Sequence, residues 1–353
     1  MPRSGRAEGK GPRPSGGLCP GHGGARVSHA LIQIRNLSKR FHTPSGTVHA
    51  VDDVSFDIPR GSITGLVGES GSGKTTLGRT LLRLVEPSGG QIRFDGTDIT
   101  SLPNAKMRDM RRRMQIIFQD PMSSLNPRLK VGDLIAEGLR AYGIGNRAER
   151  RDRVAALLDE VGLSADHMDR YPHAFSGGQR QRIGIARALA LEPEFIVADE
   201  SVSALDVSIQ AQVLNLLLDL REKRNLTMLF IAHDLSVVNY LCDQVAVLYL
   251  GRLMEIGPAG AIHKTPAHPY TRALNSAIPL PDPRAARDRT PLQGDIPSQL
   301  NPPSGCVFRT RCPHAAPICA AGSPGAHPVG PDHQSYCKRT EKLYGHDVAA
   351  AHT

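Results

Sequence analysis

Gly68-Glu69-Ser70-Gly71-Ser72-Gly73-Lys74-Thr75 constrains this chain more than any other segment. Its glycines let backbone N–H groups turn inward around phosphates, a bend that residues with a Cβ resist. Lys74 adds a positive charge near the outer phosphates of a nucleotide, and the Thr75 hydroxyl can ligate Mg²⁺. Thr76 opens a segment of helical spacing, residues 76–85, whose positive N-terminal end faces the loop and which stops at Pro87 and Gly89-Gly90. Residues 63–67, Ile-Thr-Gly-Leu-Val, form a short apolar strand running straight into the loop. A glycine-rich turn that merely matches the pattern is the ordinary alternative, and the strand before and helix after weigh against it.

The 353 residues are 40% hydrophobic and 22% charged, the balance of a soluble globular protein large enough for two or three domains. Aromatics are 4% with no Trp, which argues against a stacking platform for single-stranded nucleic acid. The net charge is +9, of which residues 1–29 supply +4 through Arg3, Arg6, Lys10, Arg13 and Arg26 against Glu8. An anionic nucleotide or a membrane-proximal partner accounts for that charge as well as nucleic acid does. No apolar run approaches the roughly 18 residues of a membrane span, and no secretory signal is visible. The expectation is a cytosolic chain whose membrane role comes through a partner.

Residues 1–29 are rich in Gly, Pro and Arg and read as disordered, or as an over-extended start to a protein beginning near Ala30. Residues 31–34 and 54–58 read as strands, as do 195–198, 228–232 and 245–250. Residues 121–192 are mostly helical in pattern, and apolar positions 154, 157, 158 and 161 lie on one helix face. Strands alternating with helices imply a mainly parallel sheet with its ligand at the strand C-termini. Beyond about Pro266 the chain turns Pro-rich and irregular. The expected domains are a disordered segment at 1–29, a nucleotide-binding domain at 30–265 with its helical part at 121–192, and an extension at 266–353.

Asp199-Glu200 ends an apolar strand. One acid there can hold Mg²⁺ and its neighbour can orient an attacking water, although acids often end strands without such a task. Ser176-Gly177-Gly178-Gln179 precedes a helical stretch, where a hydroxyl and glycine N–H groups suit a γ-phosphate. A plain helix cap at Ser176 reads equally well from the residues alone.

Taken together, these segments resemble the nucleotide-binding subunit of an ATP-binding-cassette (ABC) transporter over residues 31–274. The loop at 68–75 comes first, then Gln119 in Ile116-Ile117-Phe118-Gln119-Asp120-Pro121. Phe175-Ser176-Gly177-Gly178-Gln179 matches the family signature, with Phe175 where Leu is commoner. Asp199-Glu200, Ser203-Ala204-Leu205-Asp206 and His233 follow in family order. Residues 118–128, 171–173, 203–212 and 229–238 are closer still to the oligopeptide/dipeptide importer ATPases, in particular their F-type subunit. So are His268-Pro269-Tyr270-Thr271-Arg272-Ala273-Leu274 and the segment from Gly294 to Cys306.

The resemblance implies an α/β fold: a P-loop NTPase (RecA-like) core with an ABC β-subdomain, a helical subdomain and an irregular Cys-containing extension. It implies that Phe41 stacks on adenine, that Thr75, Gln119 and Asp199 attend Mg²⁺, and that Glu200 polarises the water. His233 would reach the γ-phosphate, and Asp206 would lie at a dimer interface. Each ATP would be sandwiched between the loop of one subunit and the Ser-Gly-Gly of another, so a monomer is expected to be nearly inactive. The implied partners are a D-type sister ATPase, two membrane permeases and an extracytoplasmic substrate-binding protein, with no nucleic acid. The implied location is the cytoplasmic face of the bacterial inner membrane, as a peripheral subunit. Ser201 departs from the family, which commonly has Pro there; a small effect on geometry is expected.

Cys19 and Cys242 stand apart, whereas Cys306, Cys312, Cys319 and Cys337 are grouped. Their spacing is not the paired pattern of common zinc ribbons. Four thiolates can hold Zn²⁺ or an iron–sulfur cluster, with His314 and His333 as alternative ligands, or remain as free thiols. The resemblance favours a [4Fe–4S] cluster on the four cysteines. The rival reading of the whole chain is a soluble ABC ATPase of a non-transport assembly, of phosphonate-breakdown type or associated with nucleic acid or the ribosome. Those nucleic-acid and ribosome families usually carry two cassettes or a long coiled-coil insertion, and this chain shows neither.

Overall fold

The computed structural model describes residues 30–120, 124–202, 205–278, 292 and 294–350, with side chains up to Gly345. The readings placed on residues 1–29, Pro121, Ser203 and Ala204 lie outside that set. Among the described residues two sheets form. The smaller is antiparallel, in the order β2 (Gly46–Pro59), β1 (Ala30–Thr43), β4 (Gly89–Phe94), β5 (Thr97–Asp98). The larger has eight strands in the order β11 (His327–Gly330), β12 (His333–Ser335), β10 (Arg252–Pro258), β9 (Gln244–Tyr249), β3 (Ile63–Val67), β8 (Thr227–Ala232), β7 (Phe195–Asp199), β6 (Met114–Ile117). Its last five are parallel, and the strands beyond β9 are antiparallel.

Strand alternation divides the core into two layers. Ile63 and Val67 of β3, with Ile196 and Ala198 of β7, face one side and pack with the helices α3 (Val131–Ala141), α4 (Arg147–Glu160) and α5 (Gly177–Leu189). Leu66, Val197, Leu229 and Ile231 face the other side and meet the antiparallel sheet and α1 (Lys74–Leu81) through Leu77 and Leu81. The remaining α-helices among the described residues are α2 (Asn104–Arg113), α6 (Val207–Arg224), α7 (Leu235–Leu241), α8 (Ala259–Lys264), α9 (Pro269–Ser276) and α10 (Thr340–Ala350). The helix face expected at 154, 157, 158 and 161 is buried throughout, and a capping box at Asn146 and Glu149 starts α4. No helix among the described residues is long and apolar enough to cross a membrane.

The extension is less irregular than its sequence suggests. It contributes α9, and its strands β11 and β12 continue the large sheet past β10. The joint is polar, which is why hydrophobic periodicity does not reveal it. Glu255 of β10 is fully buried, and its carboxylate accepts from the N–H groups of Ala267 (2.7 Å) and His268 (3.0 Å). The His333 Nε2 of β12 lies 2.7 Å from the same carboxylate. Removing one partner from such a buried group strands the others without compensation. Glu255→Ala should therefore lower the unfolding free energy by roughly 3–5 kcal/mol. Denaturant unfolding of the full chain checks this, and a loss under about 1 kcal/mol would contradict it.

Candidate active site

Because β3, β6, β7 and β8 run parallel, their C-terminal ends open on one edge of the sheet. That edge carries Gly68 after β3, Gln119 after β6, Asp199 and Glu200 at β7, and His233 after β8. Two glycines make the loop between β3 and α1 possible. Gly73 has φ 101°, and a Cβ there would lie 2.1 Å from the Ala50 carbonyl oxygen. Gly68 has φ 154°, and a Cβ there would lie 2.1 Å from the Leu248 carbonyl oxygen. Neither position accommodates a side chain. Gly73 is also the N-cap of α1 and offers no side-chain acceptor, so the first-turn N–H groups keep their capacity for an anion. Ser70 and Gly71 are exposed at the tip, whereas Ser72 is buried.

Lys74 is 5% exposed, and its Nζ donates to the carbonyls of Gly68 (2.8 Å) and Glu69 (3.1 Å). Burial pushes its pKa down, while Glu200, Asp199 and Glu69 hold it up. Asp199 shares the α1 side of β7 with Phe195 and Val197, so it meets the first turn of the helix. The Thr75 hydroxyl donates to Asp199 Oδ1 at 2.9 Å, while half-buried Thr76 accepts from the Thr80 hydroxyl through its carbonyl. Burial raises the Asp199 pKa, against the Thr75 hydrogen bond and the Arg79 charge.

Glu200 has a left-handed backbone, φ 42°, held by its N–H donating to the Ile231 carbonyl at 3.0 Å. A non-glycine residue there costs on the order of 1 kcal/mol and marks a position fixed by its surroundings. The turn sets the carboxylate where Gln119 Nε2 donates to it at 2.7 Å and Lys74 Nζ lies 4.0 Å away. His233 is exposed at the end of β8, next to Asp234, which caps α7. Phe41 is an exposed ring on β1 with Lys39 Nζ 4.7 Å from its centroid. Ser201, where the family commonly has Pro, is buried, and its hydroxyl has no hydrogen-bond partner among the described residues.

Ser176, Gly177, Gly178 and Gln179 make no hydrogen bond to residues 68–75 of the same chain among the described residues. Instead Ser176 caps α5 in a reciprocal box with Gln179, and Ser176 and Gly177 face solvent. Asp206 caps α6, accepting from Ile209 N (3.0 Å) and the Ser208 hydroxyl (2.9 Å), bonds that hold its carboxyl below the usual range. The two caps lie close, since a Cβ on Gly178 would meet Ile209 Cγ2 at 2.3 Å.

Cys306, Cys312, Cys319 and Cys337 line one small cavity together with His314 and His268. His333, the other histidine considered for this group, faces Glu255 instead. Burial and neighbouring thiols push Cys306 and Cys337 up, and Cys312 up to about 11. Four sulfur donors lining one cavity are a donor set that suits a soft metal. As placed, however, no group of three or more His, Cys, Asp or Glu among the described residues closes into a metal-holding shell.

Among the described residues, three side chains that sequence reasoning did not assign to the site also touch the loop: those of Tyr270, Gln299 and Arg311. Tyr270 lies in a segment noted only as a mark of family likeness. The other two carry no local pattern that points to the loop.

Comparison with known proteins agrees with this geometry. Residues 51–203 match the family model described as ABC transporter, and residues 254–319 match the oligopeptide/dipeptide transporter, C-terminal region. The chain is 60% identical over 309 residues to a putative peptide import ATP-binding protein of Brucella ovis, covering 88% of this chain and 98% of that one. It is 49% identical over 323 residues to the oligopeptide transport ATP-binding protein AppF of Bacillus subtilis, covering 89% and 98%. Among solved structures, the cassette MJ0796, a dimer in a post-hydrolysis state with ADP and Pi, superposes with TM-score 0.60 at 27% identity, over 65% of this chain and 99% of that one. CbiO1 of Clostridium perfringens does so with TM-score 0.59 at 27% identity, over 66% and 90%. With two models of this family matched along its length and relatives up to 60% identical over most of both chains, the chain belongs to the ATP-binding-cassette family of transporter ATPases.

Proposed function

We propose that this chain hydrolyses ATP to energise the import of peptides, dipeptides or oligopeptides, through membrane permease partners. The observation that carries the reading is the set of contacts at one sheet edge: Lys74 on the loop carbonyls, Thr75 on Asp199, and Gln119 on Glu200. The names of the relatives, peptide import and oligopeptide transport proteins, support the substrate class.

In this reading the glycine loop and Lys74 bind the phosphates, and Phe41 stacks on the adenine from its exposed position. Thr75, Asp199 and Gln119 would hold Mg²⁺, which screens phosphate charge when bound. Glu200 accepts the proton of the attacking water and His233 orients it. Gln119 links Glu200 to the helical layer and so to the permease. The exposed Ser176-Gly177 edge and Asp206 serve a second cassette, so each ATP is shared between two subunits, here a D-type sister. Two permeases and an extracytoplasmic binding protein complete the assembly, with this chain peripheral on the cytoplasmic face of the inner membrane. The four cysteines would hold a [4Fe–4S] cluster with a structural role, a reading supported by their convergence on one cavity.

Glu200→Gln tests the base. It should cut turnover by about 100- to 10,000-fold while ATP affinity stays within about twofold, because it removes only the proton acceptor. Wild-type-like hydrolysis in that variant would rule the base out. Specific activity of the wild type should rise with protein concentration, or on adding the sister subunit; concentration-independent activity argues against a shared site. Anaerobically purified protein should absorb in the visible range with about four irons per chain, and Cys306→Ser should bleach it. Stoichiometric zinc without iron would defeat the cluster.

A further inference from the structure

The phosphate-binding loop is gripped from outside by the C-terminal extension. Glu69, the first residue after Gly68, forms a two-pronged ion pair with Arg311: Nη1 to Oε2 at 2.6 Å and Nη2 to Oε1 at 3.2 Å. The pair is mostly buried, with side chains 6% and 23% exposed. The N–H of Glu69 donates to the Tyr270 hydroxyl at 2.9 Å. Two residues further on, the Gly71 carbonyl accepts from Gln299 Nε2 at 2.6 Å. Arg311 is not a loose surface arm. Its N–H donates to the Phe308 carbonyl at 3.0 Å, and Phe308 packs against Tyr249 and Tyr270 at ring separations of 5.3 and 5.2 Å. All three rings are essentially inaccessible to solvent.

These contacts have two physical consequences for an anion entering the loop. The first is electrostatic. Glu69 places a carboxylate in a segment whose neighbours must accept several phosphate charges. Its field reaches Lys74, where it is one of the three carboxylates that hold the ammonium pKa up. Arg311 neutralises that carboxylate in a fork geometry that also fixes its direction. The second is conformational. The loop must present its N–H groups inward, and a glycine-rich segment left alone samples many other states. Anchors at Glu69 and Gly71 restrict it before the nucleotide arrives, which lowers the ordering cost of binding.

We propose that Arg311 and Tyr270, carried by the C-terminal extension, are positioning residues of the ATP site, setting the charge and the shape of the phosphate-binding loop through Glu69. The extension is then a working part of the nucleotide site in addition to any metal it holds. This rests on the reading that residues 68–75 bind ATP.

The test is equilibrium binding of MgATP to the full chain, with KM and kcat measured alongside in the presence of its partner cassette. Arg311→Gln should raise the ATP Kd and KM about 10- to 100-fold, the weight of a lost charge-assisted contact. The kcat at saturating ATP should stay within about threefold, because bound phosphates reimpose the loop geometry. Arg311→Lys should fall between the two. Adding Glu69→Gln to Arg311→Gln should recover most of the lost affinity, since it removes the uncompensated carboxylate. A merely structural Arg311 would show no such rescue. Tyr270→Phe, which deletes one hydroxyl and keeps the ring, should raise Kd several-fold and reads the same grip even if Arg311→Gln folds poorly. Unchanged ATP affinity in Arg311→Gln and Tyr270→Phe, or a loss that Glu69→Gln does not repair, overturns the proposal. Failure of the wild-type chain itself to bind ATP is a separate result that overturns the assignment of the loop and this inference with it.

Discussion

Lys74 is a buried ammonium that spends two of its three N–H donors on the backbone of its own loop. Its Nζ folds onto the Gly68 and Glu69 carbonyls, and Glu200 stands 4.0 Å away. Burial pushes its pKa down, and carboxylates at 200, 199 and 69 oppose that shift. Much of the surrounding structure can be understood as holding that cation in place. Strand β3 is wholly buried and delivers the loop without slack. Glycines at 68 and 73 allow the backbone to turn against Leu248 and Ala50, where no side chain fits.

Sheet order explains why residues so distant in sequence share this site. Placing β3 between β9 and β8, with β7 and β6 beyond, brings the ends of four parallel strands to one edge. Alternation then assigns the work: Asp199 points to α1 and Thr75, while the left-handed turn at Glu200 swings the next carboxylate to Gln119. The antiparallel side of the sheet has another task. Through Glu255 and His333 it fastens the extension, which in turn reaches back to the loop through Tyr270, Gln299 and Arg311.

The sequence was most legible where one local pattern decides the structure. Ile63 to Val67, the loop and the first turn of α1 could be read in a single pass, as could the buried face of α4. The long strands β1 and β2 were seen only in part, because bulges near Leu37 and Lys39 break their alternation. Strands β11 and β12 were not seen at all. His333 and Ser335 are buried polar residues that bond Glu255 and the Ala267 carbonyl, 78 and 68 positions away, and no local periodicity records that. Arg311 was missed for the same reason, being 242 positions from Glu69. Ser176 shows a different limit. Its residues suit both a helix cap and a phosphate site, and a single chain displays the cap.

Comparing MgATP binding to the full chain with binding to its Lys74→Ala variant tests the central claim most directly. The account predicts a drop in affinity of at least about tenfold, because a charge-assisted contact to phosphate is lost from a site built around it. Equal affinity in a folded variant would contradict it.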